Sequence, residues 1–229
     1  MTDIVHYALQ GSVATITLDD GRANAMSPTM QRAINAALDQ AETDKAAVVL
    51  AGRKRIFSAG FDLEILKNFN DETVAMLRGG FELAVRLMSF PAPVVIACTG
   101  HAMAMGSFLL CAADYRIGSA GEFKIGANEV AIGLTMPTPA LAMIRHRLSP
   151  TAVTRSVVLA EIFDPAAAVG VGFLDQVVEA EDVVAEAQRF AERVAPLDRA
   201  AYVGSKLRLH SATIDAVLAG IETEYPRRS

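Results

Sequence analysis

The sequence predicts an α/β fold with a helical C-terminal appendage, on three observations. Two short continuous apolar runs, Ala46 to Ala51 and Val94 to Cys98, have the character of strands buried on both faces. Segments around them repeat apolar residues at helical spacing. From Ser149-Pro150 onward the pattern is almost entirely helical. Strand, helix, strand, helix and then a helical tail is the order of a layered α/β domain.

The elements follow in order. Ile4 to Leu9 and Val13 to Leu18 alternate like strands, and Gly11-Ser12 between them reads as a hairpin turn. Ser27-Pro28 starts a helix, with serine as the cap and proline at the first helical position. Met30, Ile34, Ala37, Leu38 and Ala41 form its apolar stripe. The segment after Asp62 reads as helix, with Phe81, Ala84, Val85 and Met88 on one face, until Pro91-Ala92-Pro93 stops it. Gly106 opens an apolar helix over Ser107 to Ala113, and Tyr115 to Ile117 and Glu122 to Ile125 read as short strands. Asp164-Pro165 repeats the cap-plus-proline start. Gly170-Val171-Gly172 looks like the end of a short helix, Leu174 to Val178 like a brief strand, and Glu181 to Val194 is amphipathic.

Bulk properties exclude several classes. The chain has 229 residues, 52% of them hydrophobic, which suffices for one large core. It has no Trp, and the net charge of -5 comes with no long basic run or aromatic-basic interleaving, so nucleic acid is not an expected partner. Cys98 and Cys111 sit in apolar surroundings and read as buried free thiols of a reducing compartment. No CxxC or His-rich spacing suggests a metal. Met1-Thr2-Asp3-Ile4 lacks the layout of a secretory signal, and no apolar run reaches the ~18 residues of a membrane span. A cytoplasmic protein without membrane contact is expected.

Three stretches can carry chemistry together. Phe57-Ser58-Ala59-Gly60-Phe61-Asp62-Leu63 and Gly100 to Ser107 are small-residue turns leading into helices. Such turns let a ligand approach the backbone, and a helix N-terminus offers unpaired N–H groups to an oxyanion. Ile125-Gly126-Ala127-Asn128-Glu129 presents one carboxylate beyond an apolar strand. Two main-chain donors and a nearby acid suit the making and quenching of an enolate. Taken singly, each stretch also reads blandly: a tight strand-to-helix turn with Asp62 as cap, a glycine permitting helix packing, an exposed loop glutamate. Ser58 and Ser107 leave a serine hydrolase conceivable, but there is no G-x-S-x-G elbow, and His6, His101, His146 and His210 show no nucleophile-base spacing.

These residues in this order resemble the crotonase superfamily of enoyl-CoA hydratases and isomerases, from about Ile4 to Lys206. Phe57 to Leu63 is similar to the family's FSAG-x-DL motif. Arg22-Ala23-Asn24-Ala25-Met26-Ser27 resembles its CoA-contacting segment, and Ala113 to Ile117 and Gly172 to Val178 match two further stretches. The resemblance implies a spiral of ββα units over residues 1–195, followed by a C-terminal helical trimerisation region, shortened here, over 196–229. It implies a homotrimer or hexamer acting on an acyl-CoA thioester, with no resident cofactor, because coenzyme A is part of the substrate. Carried over, the oxyanion donors are the N–H groups of Phe61 and Met105, and Glu129 is the catalytic acid. Contacts to the substrate and its CoA fall on Arg22, Asn24, Ala25, Met26, Ser58, Ala59, Gly60, Asp62, Leu63, Gly106 and Phe108.

The chain departs from the family pattern in places. Hydratases of the family carry a second glutamate where this chain has Phe108. Met105 stands where a glycine is common, Glu64 where a lysine is frequent, and Met136-Pro137-Thr138-Pro139-Ala140 replaces a glycine-rich stretch. Phosphate contacts would then fall to Arg22, Lys54, Arg55 or a neighbouring subunit. One carboxylate and an oxyanion hole suffice to move a double bond, so a Δ3,Δ2-enoyl-CoA isomerase is expected. A hydratase and a non-catalytic acyl-CoA binder remain the alternatives.

Overall fold

The computed structural model describes residues 4–227. The chain opens with a hairpin, β1 (Val5–Gln10) and β2 (Val13–Leu18), followed by α1 (Pro28–Thr43) and β3 (Ala47–Ala51). A short strand β4 (Arg55–Ser58) leads into α2 (Leu63–Leu66) and α3 (Asp71–Ser89). Then come β5 (Val94–Cys98), β6 (Gly100–Met103), α4 (Met105–Ala112), β7 (Tyr115–Ser119) and β8 (Ile125–Gly126). The remainder is α5 (Thr138–Arg147), α6 (Pro150–Val157), α7 (Pro165–Val171), β9 (Gln176–Val178), α8 (Val183–Val194) and α9 (Arg199–Glu224).

The strands form two sheets, ordered β1-β2-β3-β5-β7-β9 and β4-β6-β8. Among the strand pairs of the described residues, β1 runs antiparallel to β2 and the others are parallel. Period-two alternation sorts the large sheet's side chains onto two faces. Val48, Leu50, Val94 and Ile96 join the main core, with Met30, Ile34 and Leu38 of α1 and Leu83, Leu87 and Met88 of α3. Ala47, Val49, Val95 and Ala97 face α8, where Val183, Ala187 and Ala191 cover them. Both faces are therefore dry, as the unbroken apolar runs require.

Local signals explain most boundaries. Ser27 caps α1 by accepting from the Met30 N–H at 3.2 Å, and Asp164 caps α7 by accepting from Ala167 at 2.8 Å. Gly172 ends α7 with φ 103. Cys98 and Cys111 are buried and unpaired.

Several expectations need correction. The stretch from Gly100 is not all turn: its first four residues are β6, the middle strand of the second sheet. The strand expected at Glu122 to Ile125 is only Ile125–Gly126. The helix expected from Ser107 begins at Met105, and the one after Asp62 is two helices, the second restarted by a capping box between Asn70 and Thr73. Helix α5 was assigned no element from the sequence; its prolines Pro137 and Pro139 sit at the cap position and in the first turn, where no N–H is missed.

Candidate active site

The second sheet builds the site. Strands β4 and β6 run parallel and end in adjacent turns, Ser58 to Asp62 and Ala104 to Ser107. The two turns pack backbone on backbone. A Cβ on Gly60, at φ +101, would stand 2.7 Å from the Ala104 Cβ and 3.3 Å from the Met105 nitrogen. A Cβ on Gly106 would stand 2.5 Å from the Ser58 carbonyl oxygen. Only glycine permits either approach.

Neither Phe61 nor Met105 donates its N–H to any group among the described residues. Their neighbours are committed: Ala59 N–H donates to Ala23 O at 3.0 Å, Gly60 N–H to Ser58 Oγ at 3.2 Å, and Ser107 N–H to Ala104 O at 2.9 Å. Met105 is the first residue of α4, so its free N–H adds to the positive helix end. Ala104 holds φ 48 and ψ -122, a conformation that L residues avoid, to turn the chain from β6 into α4.

Strand β8 brings the acid. It pairs with β6, and the Ala104 N–H donates to Gly126 O at 3.0 Å. Three residues on, Glu129 begins a 3-10 turn over Val130–Ile132. Its carbonyl oxygen accepts from Ile132 and Leu134, fixing its backbone. The side chain is buried at 7% exposure, and Oε2 has no hydrogen-bond partner. Burial pushes its carboxyl from the ordinary 4.5 up to about 7, offset in part by a bond to its own backbone.

The two turns and the acid face one cavity of about 370 Å³. Ala59 and Phe61 line it from the first turn, Ala104 and Phe108 from the second, and Asn128 and Glu129 from the segment after β8. Leu63, Leu66, Phe69, Leu77, Ile132, Leu134 and Pro137 make the rest predominantly apolar, and Glu129 is the only carboxyl among the lining residues described. Phe108 stacks on Phe81 at 6.2 Å between ring centroids, and Phe61 meets the same ring edge-on at 5.9 Å.

The CoA-contacting segment divides. Arg22 is exposed and Ala25 half-buried. Asn24 is buried at φ 50, donating to Leu18 O at 3.0 Å and Phe57 O at 3.1 Å. Met26 and Ser58 are fully buried, and Ser58 Oγ donates to Asn24 O at 2.7 Å. The side chains of Asn24, Met26 and Ser58 are thus spent inside the protein, and only their backbones remain for a ligand. Gly106 is packed on Ser58, while Leu63 is exposed and lines the cavity. Asp62 caps α2 by accepting from the Glu64 N–H at 2.9 Å. Sequence reasoning missed Tyr225, which lines the cavity from the end of α9 and carries no local signal of that role.

Residues 8–225 match the family model described as enoyl-CoA hydratase/isomerase. The chain belongs to the enoyl-CoA hydratase/isomerase family, the crotonases. A Mycobacterium tuberculosis protein, called an enoyl-CoA isomerase in one solved structure and a probable enoyl-CoA hydratase in another, is in the former 46% identical, covers 97% of each chain and superposes with a TM-score of 0.93. Human mitochondrial Δ3-Δ2-enoyl-CoA isomerase is 26% identical, covering 96% of this chain and 90% of that one, with a TM-score of 0.90. The Mycobacterium avium protein named "Probable enoyl-CoA hydratase echA17" is 35% identical over 89% of this chain and 76% of its own length. The crotonase relatives thus carry both activity names.

Proposed function

We propose that this crotonase is an enoyl-CoA isomerase of the Δ3,Δ2 type. The thioester oxygen accepts from the N–H groups of Phe61 and Met105, which offset the charge of the enolate. Glu129 removes a proton from C2, the double bond moves from the 3,4 to the 2,3 position, and the same carboxyl returns the proton at C4. A carboxyl that titrates near neutrality can do both. The CoA phosphates would meet exposed cations, Arg22, Lys54 and Arg55. A homotrimer or hexamer is the assembly we infer, to be read by light scattering.

One observation carries the preference over hydration: Glu129 is the sole carboxyl among the described residues lining an apolar cavity, which Phe108 also lines where the family resemblance puts the hydratases' second glutamate. Hydration needs a water oriented and deprotonated while a proton is supplied, and two carboxylates divide that work. The relatives named hydratase favour the second reading, enoyl-CoA hydratase. Turnover of 3-hexenoyl-CoA and crotonyl-CoA by the same preparation decides between them. We expect isomerisation to dominate; faster hydration of crotonyl-CoA reverses the assignment. Binding of both without turnover would make the chain an acyl-CoA binder.

A further inference from the structure

One cavity wall comes from the end of α9, far in sequence from every motif. The Tyr225 ring lies against Phe81 at 5.9 Å and 11°, the ring that also carries Phe61 and Phe108. The last turn of α9 is fastened on two sides. On α3, Arg78 pairs with Glu222 and donates to the Tyr225 carbonyl oxygen at 3.1 Å. On α5, the Glu224 carboxylate accepts from the Thr138 N–H at 2.9 Å. Other walls are less supported: Leu63 is 60% exposed and Phe69 72%. An acyl tail could displace those side chains, but not a ring stacked on a buried phenylalanine, with its carbonyl held from α3 and the preceding residue's carboxylate held from α5.

We propose that Tyr225 sets the length of acyl chain the cavity accepts, and that Arg78 is the residue positioning it. The inference rests on reading this cavity as the acyl site. At about 370 Å³ the cavity lies near the lower end of the ~300–1,000 Å³ common for ligand pockets. On this reading the enzyme favours short chains over long ones, with the ring rather than the hydroxyl as the stop.

Calorimetric binding of hexanoyl-CoA and dodecanoyl-CoA, beside turnover of the matching 3-enoyl thioesters, tests this in the full-length protein. Wild type should favour the short chain. Tyr225→Ala should shift the long-to-short ratio by ~10-fold or more, the scale on which a pocket senses extra methylenes. Tyr225→Phe should match wild type. Arg78→Gln should shift the ratio the same way by a smaller factor, with the KM of the long substrate moving more than kcat. Tyr225→Leu, which keeps the stack apolar, serves if the alanine variant does not fold. A ratio in Tyr225→Ala or Tyr225→Leu within twofold of wild type overturns the proposal, as does a wild type binding both chains equally. A chain-length shift in binding without isomerase turnover upholds the gauge while removing the isomerase reading; no binding of either thioester removes both.

Discussion

Asp114 and Glu129 both border α9, and the fold serves them differently. Asp114 Oδ2 accepts from the Val94 N–H at 2.7 Å, the Tyr202 hydroxyl at 2.7 Å and Lys206 Nζ at 2.8 Å. Glu129 Oε2 accepts from no group among the described residues. Asp114 joins the start of α9 to the large sheet; Glu129 shares a cavity with its far end. An acid given three donors is committed to holding structure together. An acid denied them has its pKa pushed up to about 7 by burial, where it can both take and return a proton. Unpaired buried carboxyls cost stability, so such a group points to a function.

Exchanging each acid for its amide breaks the comparison open. Glu129→Gln should lower turnover by ~10²–10⁴-fold, the usual worth of a general acid-base group, measured with saturating substrate. Asp114→Asn should instead destabilise the fold by about 3–5 kcal/mol, read from the denaturant midpoint, because Lys206 is left buried without its anion. Turnover per folded molecule should not change.

Linkage sharpens the contrast. Glu129 titrates at about 7 when folded and near its ordinary 4.5 when unfolded. Between those values the unfolded chain binds fewer protons, so stability falls as pH rises. The penalty is absent below the lower value and complete above the upper one, on the order of 3 kcal/mol. Glu129→Gln should therefore melt higher than wild type at about pH 8 and nearly equal to it at about pH 4. Wild-type kcat/KM should rise with pH around a midpoint near 7, as the base loses its proton.

The smallest effect concerns the donors rather than the acid. Gly60→Ala places a Cβ against Ala104 and the Met105 nitrogen and forces the turns apart. We expect ~10²-fold lower kcat, the scale of losing one oxyanion donor, together with a lower melting midpoint, because φ +101 and the Ala104 contact strain any Cβ there. Full activity would show that the convergence of the turns is incidental.

What could be read from the sequence was local. Ser27-Pro28 announces α1 through its cap, and Ala47 to Ala51 announces a doubly buried strand through composition. The tight turn after β4 was legible because small residues permit its geometry; the donor role of Phe61 came from the family resemblance. The second sheet escaped notice because β4 and β8 are short and their partner β6 lies across non-local pairings. The inward fate of Asn24 was hidden too, since its two acceptors, Leu18 and Phe57, belong to different sheets. Tyr225 and Phe81 become neighbours only through the docking of α9, which no local pattern encodes.

That docking has a consequence for biogenesis. A chain made from its N-terminus completes Glu129 and its greasy surroundings well before Tyr225 emerges. Until α9 settles, the nascent protein displays an open oily pocket, a natural target for chaperones and a seed for clumping. Ligand added during refolding should shelter that pocket and raise the yield of native enzyme.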